Sequence, residues 1–477
     1  MEKQIITTYE EAVAYLYHMP RFTEKHSMED TKAHLLRLGS PDKRIKNIIH
    51  VAGTNGKGSV CTYLRYCLEE AGYRVAVFTS PHLTDIRERF VVEGGMISRE
   101  DFLRIFLQVY ESLNWESLNW ESLDWESLNR ENLNRETPGY HPTFFEYVFF
   151  MGMLYFAEKQ PDYCILETGL GGRLDATNAV AEKRLAIITR IGLDHVEYLG
   201  NTLAEIAGEK AGILKKGTPF VYCADVPEAA EVFVEWAKNL EIPAFPVSKN
   251  DYAFQKFHNK TIDFSLHTRY YGYIGITLRT SARYQMENAA IAVRGLEALF
   301  EGKGITAEEI KRGLFKAFWP GRMEEIFPDV FVDGAHNVDG IRAFLDTVRT
   351  DGCGREGKRR TLVFSVVQDK DYGLMIRQVL DAAVFDRIYV PHMETARAAD
   401  LEKLKALWES TGGAAGNRTA AEDGSAEGGM EPELHYCANV REAMEEALKA
   451  QNGARIYAAG SLYLVGEIKE FLDDDKF

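Results

Sequence analysis

Short apolar runs alternate along most of the chain with stretches in which apolar residues recur every three or four positions. Five of the runs are bounded by turn residues and predict buried strands, at 48–52, 75–78, 163–166, 186–189 and 220–222. After the first run, Val60, Leu64 and Leu68 follow a helical spacing. Strands that are apolar throughout are typical of a parallel sheet covered by helices on both faces. The pattern therefore predicts an α/β fold with a doubly wound, mostly parallel sheet.

A second, smaller α/β domain is predicted after residue 319. A helical pattern at 288–300 closes the first domain, and Trp319-Pro320-Gly321 breaks the periodicity. New strand-like runs then alternate with helical patterns, at 330–332, 362–366, 387–390 and 455–458. We therefore place the domains at 1–319 and 320–477. Ligands of such sheets bind beyond the carboxyl ends of the strands.

Two segments are predicted to be insertions without chemistry. Residues 111–135 contain five imperfect copies of ESLNW, and a period of five keeps its tryptophans on one face of neither a helix nor a strand. An aromatic recognition arm is one interpretation, and a tolerated loop expansion outside the core is the one we favour. Residues 412–432 are rich in Gly, Ala and acidic residues and predict a flexible loop.

A phosphate-binding loop is predicted where the first strand meets its helix. Its residues are Gly53, Thr54, Asn55, Gly56, Lys57, Gly58 and Ser59. Glycines let backbone N–H groups turn toward phosphate oxygens, the helix start attracts anions, and Ser59 can offer a hydroxyl to Mg²⁺. The spacing departs from the general NTPase pattern, because Lys57 follows Gly53 by only four positions and Gly58 precedes Ser59. A glycine-rich turn without a ligand is the alternative.

The string GTNGKGS resembles the ATP loop of the Mur ligase superfamily, in the form found in its folate branch of folylpolyglutamate and dihydrofolate synthases. Further motifs extend the resemblance over nearly the whole chain. They lie at 78–83, 87–90, 142–146, 166–178, 191–195, 206–213, 320–322, 333–337, 369–371 and 460–463. The resemblance implies a ligase that uses ATP and Mg²⁺ to join L-glutamate to dihydropteroate or a reduced folate, and we expect two Mg²⁺ ions.

The resemblance also implies roles for individual residues. Lys57, Lys210 and His195 would be catalytic, and Lys210 would be carbamylated, which turns a cation into an anionic ligand. The Mg²⁺ ligands would be Ser59, Ser80, Glu146, His195 and Lys210. Asn288 would contact adenine, Arg322 the phosphates and Asp333 the ribose. His82, Arg89, His336 and Ser461 would contact the other substrates. One departure is Tyr284, where the family commonly has histidine.

The expected reaction forms an amide from a carboxylate and an amine through an acyl phosphate. Such a reaction needs charge neutralisation, in-line positioning and exclusion of water. Two other functions stay open: a cell-wall Mur ligase acting on a muramyl substrate, and a nucleotide-binding scaffold without catalysis. Whether dihydrofolate synthase activity accompanies polyglutamylation also stays open.

Composition narrows the class of protein. The chain has 477 residues, 45% of them hydrophobic, and a net charge of −16, which argues against a general nucleic-acid binder. Six cysteines show neither C-x-x-C spacing nor a metal pattern. The amino terminus lacks a signal-peptide pattern, and the longest uncharged stretch, 147–157, is too short to cross a bilayer. We expect a soluble, cytoplasmic monomer with neither membrane nor nucleic-acid partners.

Overall fold

The computed structural model describes residues 5–19, 27–113, 142–258, 260–350, 359–415 and 431–474. Its α-helices in these ranges are α1 (Tyr9–His18), α2 (Met28–Arg37), α3 (Lys57–Glu70), α4 (Arg99–Ser112), α5 (Phe144–Lys159), α6 (Val196–Leu199), α7 (Leu203–Ala211), α8 (Pro227–Leu240), α9 (Gln285–Phe300), α10 (Ala307–Lys316), α11 (Val338–Thr350), α12 (Tyr372–Ala382), α13 (Leu401–Ala415), α14 (Val440–Lys449) and α15 (Leu462–Asp474).

The strands form three sheets. They are β1 (Ile48–Ala52), β2 (Val75–Phe78), β3 (Phe90–Val92), β4 (Gly95–Met96), β5 (Tyr163–Glu167), β6 (Leu185–Ile188), β7 (Phe220–Cys223), β8 (Ala244–Val247), β9 (Tyr252–His258), β10 (Thr261–His267), β11 (Tyr273–Leu278), β12 (Arg322–Phe327), β13 (Val330–Asp333), β14 (Arg360–Phe364), β15 (Arg387–Pro391), β16 (Glu433–Cys437) and β17 (Arg455–Ala459).

The first sheet has eight strands in the order β4-β3-β2-β5-β1-β6-β7-β8. It is parallel from β2 to β8, and β3 and β4 add an antiparallel edge. All five residues of the central strand β1 are buried, because α3 and α9 cover one face of the sheet and α5 and α7 lie over the other. The predicted doubly wound, mostly parallel sheet is confirmed, and the predicted strand bounds lie within one or two residues of the observed ones.

An antiparallel sheet of three strands, in the order β11-β10-β9, was not anticipated from the sequence. Buried and partly exposed residues alternate along its strand β10, where Ile262, Phe264 and Leu266 are buried. These side chains join the same core as α9 and α10. This sheet therefore extends the first domain beside its last two helices.

The third sheet has six strands in the order β12-β13-β17-β14-β15-β16, all parallel except β12. Every described strand after residue 320 pairs within this sheet, and every described strand before it pairs within the other two. This topology supports the proposed boundary between 1–319 and 320–477.

The two predicted insertions meet helix ends. Helix α4 runs into the start of the ESLNW repeats and ends at Ser112, and residues 114–135 lie outside the described ranges. The prediction of a loop at 412–432 is wrong for its first four residues, because α13 continues to Ala415. Gly412 and Gly413 disfavour a helix and Ala414 and Ala415 favour one, and extending an existing helix costs less than starting a new one. Residues 416–430 lie outside the described ranges.

Among the helices that the structure describes, none combines the length and the hydropathy that crossing a bilayer requires.

Candidate active site

The glycine-rich loop leaves the carboxyl end of the central strand β1 and enters helix α3. Gly53 and Gly56 both have positive φ angles, of 147° and 90°. A Cβ on Gly53 would lie 1.8 Å from Thr189 Oγ1, and one on Gly56 would lie 2.2 Å from Asn288 Oδ1. The residue after β6 and the start of α9 therefore lie so close to the loop that only glycine fits at these two positions.

The backbone of this loop is anchored by hydrogen bonds. The N–H groups of Thr54 and Asn55 donate to the carbonyl oxygen of Arg190, at 3.0 and 3.2 Å. The next N–H groups, from Lys57 to Ser59, belong to the first turn of α3, where a helix offers no internal acceptor. Because the positive end of the helix dipole lies there, this turn is suited to bind an anion such as phosphate.

Two lysine side chains converge on the carbonyl oxygen of Gly53. Lys57 Nζ donates to it at 3.0 Å, and Lys210 Nζ donates to it at 2.9 Å. Lys210 is buried in the last turn of α7. Gly172 allows the close approach of this turn, since a Cβ there would lie 2.8 Å from the carbonyl oxygen of Lys210. The structure thus brings the two predicted lysines together under the phosphate loop.

A buried carboxylate that the sequence analysis did not single out lies beside this loop. Glu167 is the last residue of β5, which pairs with β1, and it is 3% exposed. Its Oε2 accepts the N–H of Ser80 at 3.1 Å. Burial raises the pKa of Glu167 to about 7, although the positive charge of Lys57 opposes the rise. Its position at the carboxyl end of a central parallel strand is the signal that could have identified it.

Glu146, the glutamate predicted to bind Mg²⁺, caps helix α5. Its Oε2 accepts from the N–H and the Oγ1 of Thr143, both at 2.8 Å, and Thr143 Oγ1 accepts the N–H of Glu146 at 3.3 Å. Its Oε1 accepts from Thr31 Oγ1 at 3.4 Å. This reciprocal arrangement is a capping box, which stabilises the start of a helix. Both carboxylate oxygens of Glu146 are therefore engaged in hydrogen bonds that hold the fold.

An aspartate joins the first domain to the second, in a group that we call the Asp194 hub: Asp194, Lys370 and Asn337. Lys370 Nζ lies 2.5 Å from Asp194 Oδ1, and Asn337 Nδ2 donates to Asp194 Oδ2 at 3.1 Å. Asn337 Nδ2 also donates to Asn55 Oδ1 in the phosphate loop, at 3.0 Å. Burial alone would raise the pKa of Asp194, but the charge of Lys370 holds it well below its ordinary value.

Two predicted histidines flank the hub. The backbone N–H of His195 donates to Asp194 Oδ1 at 2.9 Å, and His336 Nδ1 lies 2.7 Å from the carbonyl oxygen of Gly334. Their Nε2 atoms lie 3.9 and 4.0 Å from the carboxylate of Asp194. Burial lowers the pKa of both imidazoles to about 4. Both rings are therefore neutral at neutral pH, the state in which histidine binds metal or accepts a proton.

Two of the predicted nucleotide residues, Ser59 and Arg322, line a cavity of about 330 Å³, which we call the smaller cavity. Ser59, Gln285, Trp319 and Arg322 line it. Gln285 Nε2 donates to Ser59 Oγ, and Gln285 Oε1 accepts from Asn288 Nδ2, both at 3.1 Å. Gln285, which the sequence analysis did not single out, therefore links the predicted adenine residue to the predicted Mg²⁺ ligand.

Trp319 lies directly against the phosphate loop. A Cβ on Gly58 would lie 2.7 Å from the indole ring of Trp319. The residue before the predicted domain boundary therefore contacts the first turn of α3, and only glycine leaves room for the ring.

Asp333, the predicted ribose residue, is 2% exposed and accepts three hydrogen bonds. Its Oδ1 accepts the N–H of Ala335 at 2.9 Å, and its Oδ2 accepts the N–H of Met323 at 2.9 Å. The O–H of Tyr284 donates to the same Oδ2 at 2.7 Å. Tyr284 thus makes a polar contact from the start of α9 to the third sheet, where Arg322 is the strand neighbour of Asp333.

The predicted substrate residues lie around a second cavity of about 580 Å³, which we call the larger cavity. Its lining includes the predicted residues Ser80, His82, Arg89, Glu146, His195, His336 and Ser461. The predicted Mg²⁺ ligands are thus divided: Ser59 lines the smaller cavity, Lys210 lies under the phosphate loop, and the other three line the larger cavity.

Comparisons with known proteins agree with this geometry. The Mur ligase middle domain matches residues 132–294, and the glutamate ligase domain of Mur ligases matches residues 321–462. The dihydrofolate synthase/folylpolyglutamate synthase of Bacillus subtilis is 36% identical over 391 residues, which cover 79% of this chain and 83% of that protein.

Solved structures match nearly the whole chain. The folylpolyglutamate synthase of Mycobacterium tuberculosis complexed with ADP has a TM-score of 0.81 and 26% identity, over 98% of each chain. E. coli FolC in complex with DHPP and ADP has a TM-score of 0.77 and 25% identity, over 99% of each chain. By its sequence, its two α/β domains and its phosphate loop, this chain belongs to the folylpolyglutamate synthase and dihydrofolate synthase family of the Mur ligases.

Proposed function

We propose that this protein is an ATP-dependent ligase that adds L-glutamate to a folate through an acyl phosphate. One observation carries the proposal. A phosphate-binding helix start, a buried carboxylate and two neutral histidines lie where the carboxyl ends of two parallel sheets meet, and two cavities open there. This arrangement can hold a nucleotide beside two further substrates, in a chain whose family consists of folate ligases.

The reaction has two steps. The acceptor carboxylate attacks the γ-phosphorus of ATP, the bond to the bridging oxygen breaks, and ADP leaves. The glutamate amine then attacks the acyl carbon, loses a proton and expels phosphate. Lys57 and the first turn of α3 neutralise the phosphate oxygens, and Arg322 adds charge from the second domain. The neutral imidazole of His336 lines the larger cavity and can accept a hydrogen bond from the amine, while its low pKa makes it a weak base.

Mg²⁺ fits this site, and Ser59, Ser80, Glu167 and His195 would hold it. Three of these side chains offer the hard oxygen ligands that Mg²⁺ prefers, and His195 offers a neutral nitrogen. The fit rests on Glu167, a carboxylate that is 3% exposed and is held beside the predicted ligand Ser80, whose N–H it accepts at 3.1 Å. Bound Mg²⁺ supplies charge neutralisation to the transferring phosphoryl group. Two ions stay a prediction from the resemblance, and we propose Glu167 in place of Glu146, because both oxygens of Glu146 accept hydrogen bonds from Thr143 and Thr31.

Carbamylation of Lys210 belongs to the same proposal. Reaction of the neutral amine with CO₂ forms an N–C bond and releases a proton. The nitrogen of the carbamate keeps one N–H, so the hydrogen bond to the Gly53 carbonyl can persist. The two new oxygens then carry negative charge into a region that already holds Lys57. This charge balance supports an anionic Lys210 beside the phosphate loop.

The larger cavity suits an acceptor that combines an aromatic ring with a carboxylate. Tyr17, Phe144, Phe145 and Leu174 supply its apolar surface, and Ser80 and Glu146 also line it. This wall can take a pterin ring whether the acceptor is dihydropteroate or a reduced folate. Dihydrofolate synthase activity is therefore a second candidate, favoured by the B. subtilis relative that carries both names. We further propose a cytoplasmic monomer without nucleic-acid partners, in keeping with the net charge of −16.

The function is tested by phosphate release from purified protein with ATP, Mg²⁺ and L-glutamate. Dihydropteroate and tetrahydrofolate are offered separately, and products are identified by mass. We expect release that needs both glutamate and a folate-type acceptor. Release with a muramyl substrate alone would identify a cell-wall ligase, and ATP binding without turnover on any acceptor would identify a scaffold.

A further inference from the structure

We infer that Arg397 binds a carboxylate of the incoming amino acid and thereby selects glutamate. The inference rests on the proposed function and deepens it, because it states which part of the larger cavity binds the incoming amino acid. Arg397 was not among the predicted site residues, yet it lines that cavity together with Ser461 and His336.

The chemistry of the amino acid requires such a residue. Only the amine of L-glutamate reacts, so both of its carboxylates stay anionic throughout the reaction. A carboxylate that leaves water without a partner is strongly destabilised. The cavity must therefore supply positive charge or hydrogen-bond donors on the side where the amino acid enters.

Among the described residues that line the larger cavity, three carry a fixed positive charge: Arg89, Lys370 and Arg397. Arg89 is 6% exposed, and its Nε donates to His82 Nδ1 at 2.8 Å. Lys370 forms the buried ion pair of the Asp194 hub. Lys370 is therefore committed to a buried carboxylate, and Arg89 donates its Nε–H to a histidine that lines the same cavity.

Arg397 differs because its ion pair is open to solvent. Its Nη2 lies 2.6 Å from Asp369 Oδ2, and the two side chains are 29% and 37% exposed. Its Nη1 lies 3.4 Å from the hydroxyl of Tyr463. Exposed ion pairs contribute little stability, so a change of partner costs little free energy. A guanidinium has five N–H donors in a planar fork and can bind a second carboxylate.

Backbone contacts hold the segment around Arg397 in place, so the position of its Cα atom relative to the cavity is fixed. The carbonyl oxygen of Arg397 accepts the N–H of Gln368 at 2.9 Å, and Ala398 forms a β-bridge with Val367. These contacts tie the segment after β15 to the segment after β14, both at the carboxyl edge of the third sheet. That edge is where ligands of parallel sheets bind.

The test measures KM for L-glutamate, ATP and tetrahydrofolate in wild type, R397Q and R397K. L-glutamine and L-isoglutamine, each lacking one carboxylate, serve as alternative amino acids. R349Q is the matched control, because Arg349 pairs with Asp346 on α11 and is 47% exposed. We expect R397Q to raise KM for glutamate about 10- to 100-fold with KM for ATP unchanged, as for the loss of a charge-assisted hydrogen bond. Its preference for glutamate over one of the two amides should fall.

R397K keeps the charge but loses the planar fork, so it should show a smaller rise in KM for glutamate. If R397Q does not fold, R397K decides the question alone. Wild-type KM and wild-type amide discrimination in a folded variant would overturn the inference, as would an equal rise in KM for ATP. Wild-type protein without glutamate-dependent turnover would instead contradict the proposed function, before any variant is measured.

Discussion

Glu167 and Glu146 are both buried, but their carboxylates have different partners. Glu167 accepts one N–H, from Ser80, and keeps a raised pKa beside Lys57. Glu146 accepts hydrogen bonds from Thr143 and Thr31 that fix the start of α5. Both residues lie in motifs of the family, and a motif does not reveal which carboxylate faces the ligand. The distinction needs the fold, because β5 and α5 bring the two residues to the site from different directions.

Paired variants separate the two glutamates. Glu167→Gln should lower kcat on the order of a hundredfold, because it removes a carboxylate that would hold Mg²⁺ for phosphoryl transfer. Glu146→Gln should stay within roughly severalfold of wild type, because glutamine also satisfies a capping box. Steady-state kinetics over a range of Mg²⁺ concentrations gives both values. The reverse ranking would support Glu146 as the Mg²⁺ ligand, as the resemblance implies.

Substitutions of Lys210 test whether this lysine acts as a carbamate. Lys210→Ala should lose most activity, and acetate or formate should restore part of it by supplying the missing oxygens. Lys210→Arg should stay inactive, since a guanidinium remains charged and does not form a carbamate. ¹³C NMR after equilibration with labelled bicarbonate detects the carbamate directly. An unmodified lysine in fully active enzyme would leave Lys210 as a cation that bonds the Gly53 carbonyl.

At the scale of elements, the parallel strands could be predicted, because a short, wholly apolar run such as β1 is typical of a strand buried on both faces. The β9–β11 sheet was missed, although Ile274, Ile276 and Leu278 alternate on β11 as half-buried strands do. Polar residues between them interrupt the apolar runs that marked the other strands. The Asp194 hub was also missed, because its members lie 143 and 176 positions apart in the chain. Sequence periodicity carries no information about such pairs.

In the chain, the ESLNW repeats come between the buried part of helix α4 and the start of helix α5. Both helices are held by contacts that the repeats do not make. Helix α4 buries Phe102, Phe106 and Val109, and α5 begins with the capping box of Thr143 and Glu146. Replacing residues 114–135 with a Gly/Ser linker of similar length should therefore preserve the melting temperature and most of the activity. Thermal unfolding and KM for folate provide the check. Insoluble protein or a large rise in this KM would favour the aromatic-arm interpretation.

At the scale of the whole molecule, the site exists only when the two domains meet. The Asp194 hub places a lysine of the second domain beside an aspartate of the first, with side chains 7% and 10% exposed. Removing one partner of such a pair leaves a buried charge without compensation. The hub therefore links the stability of the interface to the positions of His195 and the phosphate loop.

A double-mutant cycle measures this coupling. Lys370→Met should lower the free energy of unfolding by about 3 kcal/mol, because the charge of Asp194 stays buried. Adding Asp194→Asn should recover part of the stability, since that charge is then removed, but kcat should stay low in both variants. Denaturant unfolding and steady-state kinetics give the two readouts. Additive losses of stability would show that the pair does not couple the domains.

The contact of Trp319 with Gly58 has an optical consequence. The indole ring of Trp319 lies against the phosphate-binding turn. A charged nucleotide that binds there changes the electric field at the ring, so the fluorescence emission of Trp319 should change. Among the tryptophans that the structure describes, Trp319 is the one placed there, and Trp319→Phe should remove the nucleotide-dependent part of the signal while the remaining tryptophans still emit. If the emission of that variant still changes with nucleotide as in wild type, the signal comes from another residue. The unlabelled protein would thus report its own nucleotide occupancy by fluorescence, in real time and without a coupled assay.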